Sequence, residues 1–318
     1  MPLVDLVDSH EFRTGLAAGV VALLVVFVVV VLARRSGWRR RDPVPVAGIA
    51  LVVASLIALG DAGGGVAVSA RLVAGLALLA LGALVATLRR SWMITTLATL
   101  PGAALVAWAA SLENDVSWVP PFVFVATVIG GALVADFDRA NARAGLGPVL
   151  IAVTALATYT AVPDTEQIAT VVGVALPIAL LGAPRAMACL GGPAAFSSVG
   201  LLMWVAAVGG RGRPGAVVGA VACLGVMLVE PIVRRARPGL RCSSPETPIS
   251  PRAILVVVLD LGLVAGTSRI AGLETSGGLA AVISVVALGM AGVVLTVVLA
   301  PWTPREPASR PPQTRRRQ

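Results

Sequence analysis

The sequence contains no lysine, a single histidine (His10), one tyrosine and three cysteines in 318 residues, and only 13% of it is charged. Each shortage removes a class of protein. A soluble globular domain carries about 25% charged residues, so this composition belongs to a chain that sits in lipid. With one histidine there is no His/Cys metal set and no Ser/His/Asp triad. No glycine-rich phosphate loop occurs either. Cys189, Cys223 and Cys242 lack metal-ligand spacing and read as small polarizable core residues, the first two in spans and the third in a loop. No metal and no cofactor is expected.

What the sequence has in abundance is apolar length, with 57% hydrophobic residues and a mean hydropathy of +0.92. Apolar runs cover residues 16–32, 44–59, 72–88, 92–111, 119–135, 148–162, 167–182, 187–208, 216–233, 253–267 and 279–300. About 20 such residues cross a bilayer as a helix. The expected fold is therefore an all-α polytopic bundle over residues 14–300, with about eleven spans. Nine to eleven are possible, because a short run beside Arg211 and Arg213 can be re-entrant. Residues 1–13 are expected as a short external segment. Residues 301–318 are rich in arginine and proline, have no apolar period and cannot fold alone. They are expected as a cytoplasmic tail whose arginines rest near anionic headgroups.

Charge orients the spans. The first run is followed by Arg34, Arg35, Arg39, Arg40 and Arg41 and preceded by Asp5, Asp8 and Glu11. Positive charge beside a span resists translocation, so the N-terminus is expected outside and the C-terminus in the cytoplasm. The acidic flank and the length of the run argue against cleavage as a signal peptide. The net charge of +9 does not point to nucleic acid, because the arginines sit between apolar runs, where they orient spans. An arginine-only basic set with much Ala, Gly and Val suggests a GC-rich bacterial genome, and hence the bacterial plasma membrane. The lipid bilayer is the first expected partner. A small molecule or lipid substrate and other envelope membrane proteins follow.

Few polar features remain to carry chemistry. The stretch Asp138-Arg139-Ala140-Asn141-Ala142-Arg143 departs from the Asp-Gly-x-x-Ala-Arg signature of CDP-alcohol phosphotransferases. Arg139 stands at the glycine, and the further metal-holding aspartates are missing. Asp136 and Asp138 make an Asp-x-Asp pair, but a solvated loop is the expected reading. Gly15/Gly19, Gly215/Gly219 and Gly262/Gly266 have the four-residue spacing of close helix contacts, read as packing within the bundle. Pro101-Gly102 and Gly191-Gly192-Pro193 interrupt one run in each half of the chain. Broken spans of this kind free backbone groups near the membrane midplane, where transporters bind substrate.

Two buried acids complete the candidates. Glu230 has Arg234 four residues on, so the two pair on one helix face. Asp260 lies in an otherwise apolar run, ~10 Å along the helix from Ala253. A charge at that depth costs at least about 2.5 kcal/mol, so the side chain should face the bundle interior. It either bonds a neighbouring span's backbone or hydroxyl, or binds a proton or substrate. The candidate substrate- or proton-binding residues are thus Asp260, Glu230, Pro101, Gly192 and Pro193. The leading expectation is a transporter or flippase for a small molecule or envelope lipid precursor, not an enzyme. A non-catalytic subunit or scaffold of an envelope complex comes second, and a membrane-embedded transferase third.

Overall fold

A computed structural model describes residues 2–39, 42–61, 70–89, 92–162, 165–182, 186–211, 213–236, 251–260, 266, 269–270 and 277–299. Gly63 and Asp164, which the arginine pattern places outside, Arg90 and Arg241, which it places in the cytoplasm, and the tail 301–318 lie outside them. Among the described residues every regular element is a helix. In order, the helices are α1 (Pro2–Asp8), α2 (His10–Arg35), α3 (Ala47–Asp61), α4 (Ala70–Arg89), α5 (Trp92–Ser111), α6 (Val119–Asn141) and α7 (Leu146–Ala161). They continue as α8 (Glu166–Gly182), α9 (Gly192–Gly209), α10 (Pro214–Cys223), α11 (Val226–Ala236), α12 (Pro251–Leu259) and α13 (Gly277–Leu299).

Four of these are long and apolar enough to cross a membrane: His10–Arg35, Val119–Ala144, Gly192–Gly209 and Gly277–Val294. A fifth is added if Gly215–Cys223 and Val226–Ala236, bent by 62°, count as one span. The other apolar stretches searched, Ala47–Asp61, Ala70–Val85, Leu97–Ser111, Leu146–Ala161 and Glu166–Gly182, are shorter. Every apolar run carries a helix, and among the described residues four or five helices are long and apolar enough to span.

Local chemistry sets the ends of the first long helix. Ser9 caps α2 by accepting a hydrogen bond from the Phe12 N–H at 3.2 Å. The helix thus begins inside the segment 1–13 expected to precede it. At the other end Gly37, with φ +98°, closes the last turn in the left-handed conformation that glycine adopts freely.

The bundle is built around α9. Nearly all of that helix is buried, from Ala194 to Gly209, as expected for a helix apolar on every side. It packs against α3, α4, α6 and α10. By contrast, α2 and α13 lie at the periphery and present Val28, Leu32, Val285 and Val293 outward.

Glycine allows the closest crossings. Gly15 of α2 packs onto the Thr170 carbonyl of α8, and a methyl at Gly19 would meet Val174 Cα at 2.8 Å. The two helices therefore run parallel in direct backbone contact, and the Gly15/Gly19 spacing serves packing inside the bundle. The pair α4–α5 is joined in the same way, since a methyl at Gly102 would lie 2.5 Å from the Leu79 nitrogen.

Two expectations about breaks are corrected here. α5 continues through Pro101, so Pro101-Gly102 does not interrupt it. Pro101 faces outward and Gly102 faces α4, where the missing side chain brings the backbones together. The run 216–233, expected as one helix, is instead broken at Leu224-Gly225, where Gly225 has φ +41°.

The bundle has two distinct ends. At one, Asn114 donates to the Ala207 carbonyl at 2.9 Å and Arg211 pairs with Glu113, tying the exits of α5 and α9 together. At the other, Arg143 pairs with Asp42 at 3.6 Å and Arg235 with Asp136 at 2.8 Å. The first end carries Arg71 over the Trp108 ring at 4.1 Å. The second collects Arg34, Arg35, Arg39, Arg139, Arg143, Arg234 and Arg235.

Candidate functional site

Before α9 the chain is not helical. Pro45 favours extended backbone in the residue before it, Val44. Residues 44 and 188 form a parallel bridge inside an otherwise helical protein. Val44 N–H donates to Met187 C=O at 3.1 Å and Cys189 N–H donates to Val44 C=O at 3.0 Å. Ala47 and Gly48, the first residues of α3, donate to the Cys189 and Leu190 carbonyls at 3.1 and 3.3 Å. Gly191 then turns with φ +83°, a value suited to glycine, and α9 starts at Gly192-Pro193.

This start is held by Asp138. Its Oδ1 accepts from Leu190 N–H at 3.1 Å and its Oδ2 from Gly191 N–H at 3.0 Å. The side chain is 2% exposed. A carboxylate at a helix N-terminus satisfies donors that the helix itself cannot and lies at the positive end of the helix dipole. Room for it is made by Gly147 of α7, where a methyl would collide with Asp138 Oδ1. The solvated loop expected over residues 136–143 is thus corrected. The stretch is the last turn and a half of α6 followed by a 3₁₀ turn, and Asp138 and Asn141 are buried. Asp136 and Asp138 point to different partners, Arg235 and the start of α9, and do not share a site.

The second break lies between α10 and α11. Asp260, directly after α12 and 2% exposed, accepts from Val226 N–H at 3.1 Å. Thr154 of α7 donates to the Cys223 carbonyl at 3.1 Å on the other side of the break, and also to Leu150 C=O at 2.8 Å. Asp260 therefore faces the interior, as its depth demands, and bonds a neighbouring helix's backbone.

Glu230 links the two breaks. It stands one turn along α11 from Val226 and accepts from Asn141 Nδ2 at 2.7 Å. It also pairs with Arg234, the expected i,i+4 partner. Asn141 in turn lies three residues from Asp138 on α6 and donates to the Phe137 carbonyl at 3.0 Å. A line of four buried polar residues thus runs Asp260, Glu230, Asn141, Asp138: the middle pair is hydrogen-bonded, and the outer steps, from Val226 to Glu230 and from Asn141 to Asp138, are each about one turn of helix.

Of the residues expected at a site, Asp260 and Glu230 lie on this line, and Gly192 and Pro193 form the helix start it ends on. Pro101 is elsewhere, on the outer face of α5. Sequence reasoning missed Asp138 and Asn141. Their signal was present in the i,i+3 spacing, which puts both on the face of α6 that continues its apolar side.

A cavity of about 490 Å³ opens at the other end of the bundle, lined by Leu112, Glu113, Asn114, Asp115, Val116 and Arg211. Cys189 and Cys223 are buried and not joined in a disulfide. No family model matches the chain, and no curated protein matches it.

Proposed function

We propose that the chain is a transporter or flippase for a small molecule or an envelope lipid precursor. On this reading it works in the bacterial plasma membrane with eleven crossings, its N-terminus outside and its C-terminus in the cytoplasm. One observation carries the reading. Two helices start inside the bundle, each facing a buried carboxylate, and a buried polar line joins them. Discontinuous helices are how transporters bring backbone N–H and C=O groups to depth without exposing them to lipid. Asp260 is the proton- or substrate-binding group, and Glu230 and Asn141 relay its state to α9.

Asp260→Asn separates this from a packing role. Asparagine keeps the shape and an acceptor for Val226 N–H but does not titrate. Envelope lipids and medium metabolites are compared among the parent strain, a deletion strain and a strain carrying the variant. The variant is expected to accumulate the same compound class as the deletion while its purified protein elutes and melts as the parent does. A folded Asn variant that restores the parental profile refutes the role of Asp260.

The topology is tested separately by placing cysteines at Gly63 and Arg241 after removing the native ones. An impermeant thiol reagent added to intact cells should label the first and spare the second. Equal labelling of both refutes the orientation.

The scaffold reading has its own support. Both deep carboxylates already accept backbone N–H groups, and the cavity at Glu113 lies at the end of the bundle away from them. It predicts that affinity purification from the native membrane retains a stoichiometric envelope protein, equally with the Asp260→Asn variant.

A further inference from the structure

We propose that the turn closing α2 is a binding seat for anionic phospholipid headgroups, independently of any transport role. The turn satisfies its own backbone. Ser36 N–H donates to Leu32 C=O at 2.9 Å, Trp38 N–H to Ala33 C=O at 3.0 Å, and the Arg34 guanidinium to Arg39 C=O. Folding back in this way keeps Trp38 and Arg39 at the level of the helix end instead of leading them into solvent. The indole N–H of Trp38 is taken by Asp42 C=O at 3.0 Å, while the residue remains 43% exposed. An indole with an apolar body and a bonded N–H suits the boundary between acyl chains and headgroups. Directly along α2, Val28 and Leu32 are turned outward, which sets the level of the acyl chains.

Charge then selects the lipid. Arg35 and Arg39 are exposed and have no carboxylate partner among the described residues. The nearest acid in sequence, Asp42, is engaged by Arg143, itself 75% exposed. The seat therefore presents spare guanidinium groups, which bind phosphate through two parallel hydrogen bonds. They also favour a leaflet of negative surface potential. A zwitterionic headgroup brings its own cation to the same place and gains less.

The test uses the full chain, purified and returned to phosphatidylcholine nanodiscs with or without phosphatidylglycerol. Native mass spectrometry after controlled delipidation reads which lipid is retained, and titration reads its apparent affinity. The parent protein should retain phosphatidylglycerol over phosphatidylcholine. Arg35→Gln with Arg39→Gln should weaken that binding roughly 30-fold, from about 1 kcal/mol per arginine at the surface. Arg213→Gln, at the other end of the bundle, should leave it unchanged. Arg39→Gln alone lies outside the helix and serves if the double variant does not fold, with roughly a fivefold loss expected.

Equal retention of the two lipids by the parent overturns the proposal, as does unchanged binding in the double variant. So does an equal loss in Arg213→Gln, which would mark a general charge effect. If inorganic phosphate displaces the lipid at equal concentration, the seat is for free phosphate and the lipid assignment fails. Preferential capture of an acidic peptide or nucleic acid over phosphatidylglycerol vesicles overturns it too.

Discussion

The helices α9 and α11 both begin inside the bundle, and they begin in different ways. The start of α9 is written in the chain as Gly191-Gly192-Pro193 and is preceded by an extended segment that pairs with residues 44–48. The two N–H groups just before it, at Leu190 and Gly191, are taken by the two oxygens of Asp138. The start of α11 follows only Leu224-Gly225 and a sharp bend. There one N–H, at Val226, is taken by Asp260, while Thr154 serves the carbonyl before the bend. The first break is fully engaged by a carboxylate fixed on a long helix. The second is held by single bonds from two different helices. In lipid each unmet backbone group costs several kcal/mol, so the two starts should fail to different degrees when their partners are removed.

The largest effect should come from Asp138→Ala. It leaves two buried donors unpaired, and at about 1.5–3 kcal/mol per charge-assisted bond the loss should reach about 3–6 kcal/mol. Thermal or denaturant unfolding in a fixed detergent measures it. A loss under about 1 kcal/mol would mean that the bridge at Val44 holds the start of α9 without Asp138. Asp260→Ala removes one such bond and should cost about half as much. A cost equal to that of Asp138→Ala would erase the difference between the breaks.

Gly147→Ala sharpens the same contrast by leaving Asp138 in place and pushing against it. The added methyl overpacks the site and should cost about 1–3 kcal/mol. Combined with Asp138→Ala, that cost should largely vanish, because the carboxylate it strikes is gone. Thr154→Val keeps the shape but loses the bond to Cys223 C=O. The expected cost is about 0.6–1 kcal/mol, in line with side-chain hydrogen bonds in bilayers. The smallest change is expected from Pro101→Ala. Pro101 marks a break in the sequence but sits on the outer face of a continuous helix, so the shift in stability should stay within about 0.5 kcal/mol. A large shift, or loss of function in a folded variant, would return Pro101-Gly102 to the candidate site.

These three places also show how far the sequence could be read. Apolar runs identified the helices well, because in lipid a hydrophobic segment has few alternatives to a helix. They said less about which helices are long enough to span, since a bend such as that at Gly225 removes no apolar residue from the run. Proline and glycine marked positions without saying what they do there. Gly191-Gly192-Pro193 is a helix start, whereas Pro101-Gly102 is a crossing point in which glycine brings α4 and α5 together. The buried acids divided along the same line. Asp260 was legible because its neighbours are all apolar. Asp138 was not, because Asp136, Arg139 and Arg143 around it resemble a wet loop. Only the path of residues 186–191 past the end of α6 makes it a core residue.

The parallel bridge between Val44 and Ala188 has a consequence for how the protein is made. Its two halves are separated by nearly half of the 318-residue chain. When α2 and α3 leave the ribosome, the N–H groups of Val44, Ala47 and Gly48 have no acceptor, because residues 187–190 do not yet exist. These donors cannot be left bare in hydrocarbon. During synthesis, the entry to α3 must therefore stay at the water interface or inside the insertion machinery until α8 has been delivered. The entry to α3 is thus completed only by a segment synthesised five helices later, and a ribosome stalled between α3 and α8 would leave that entry open.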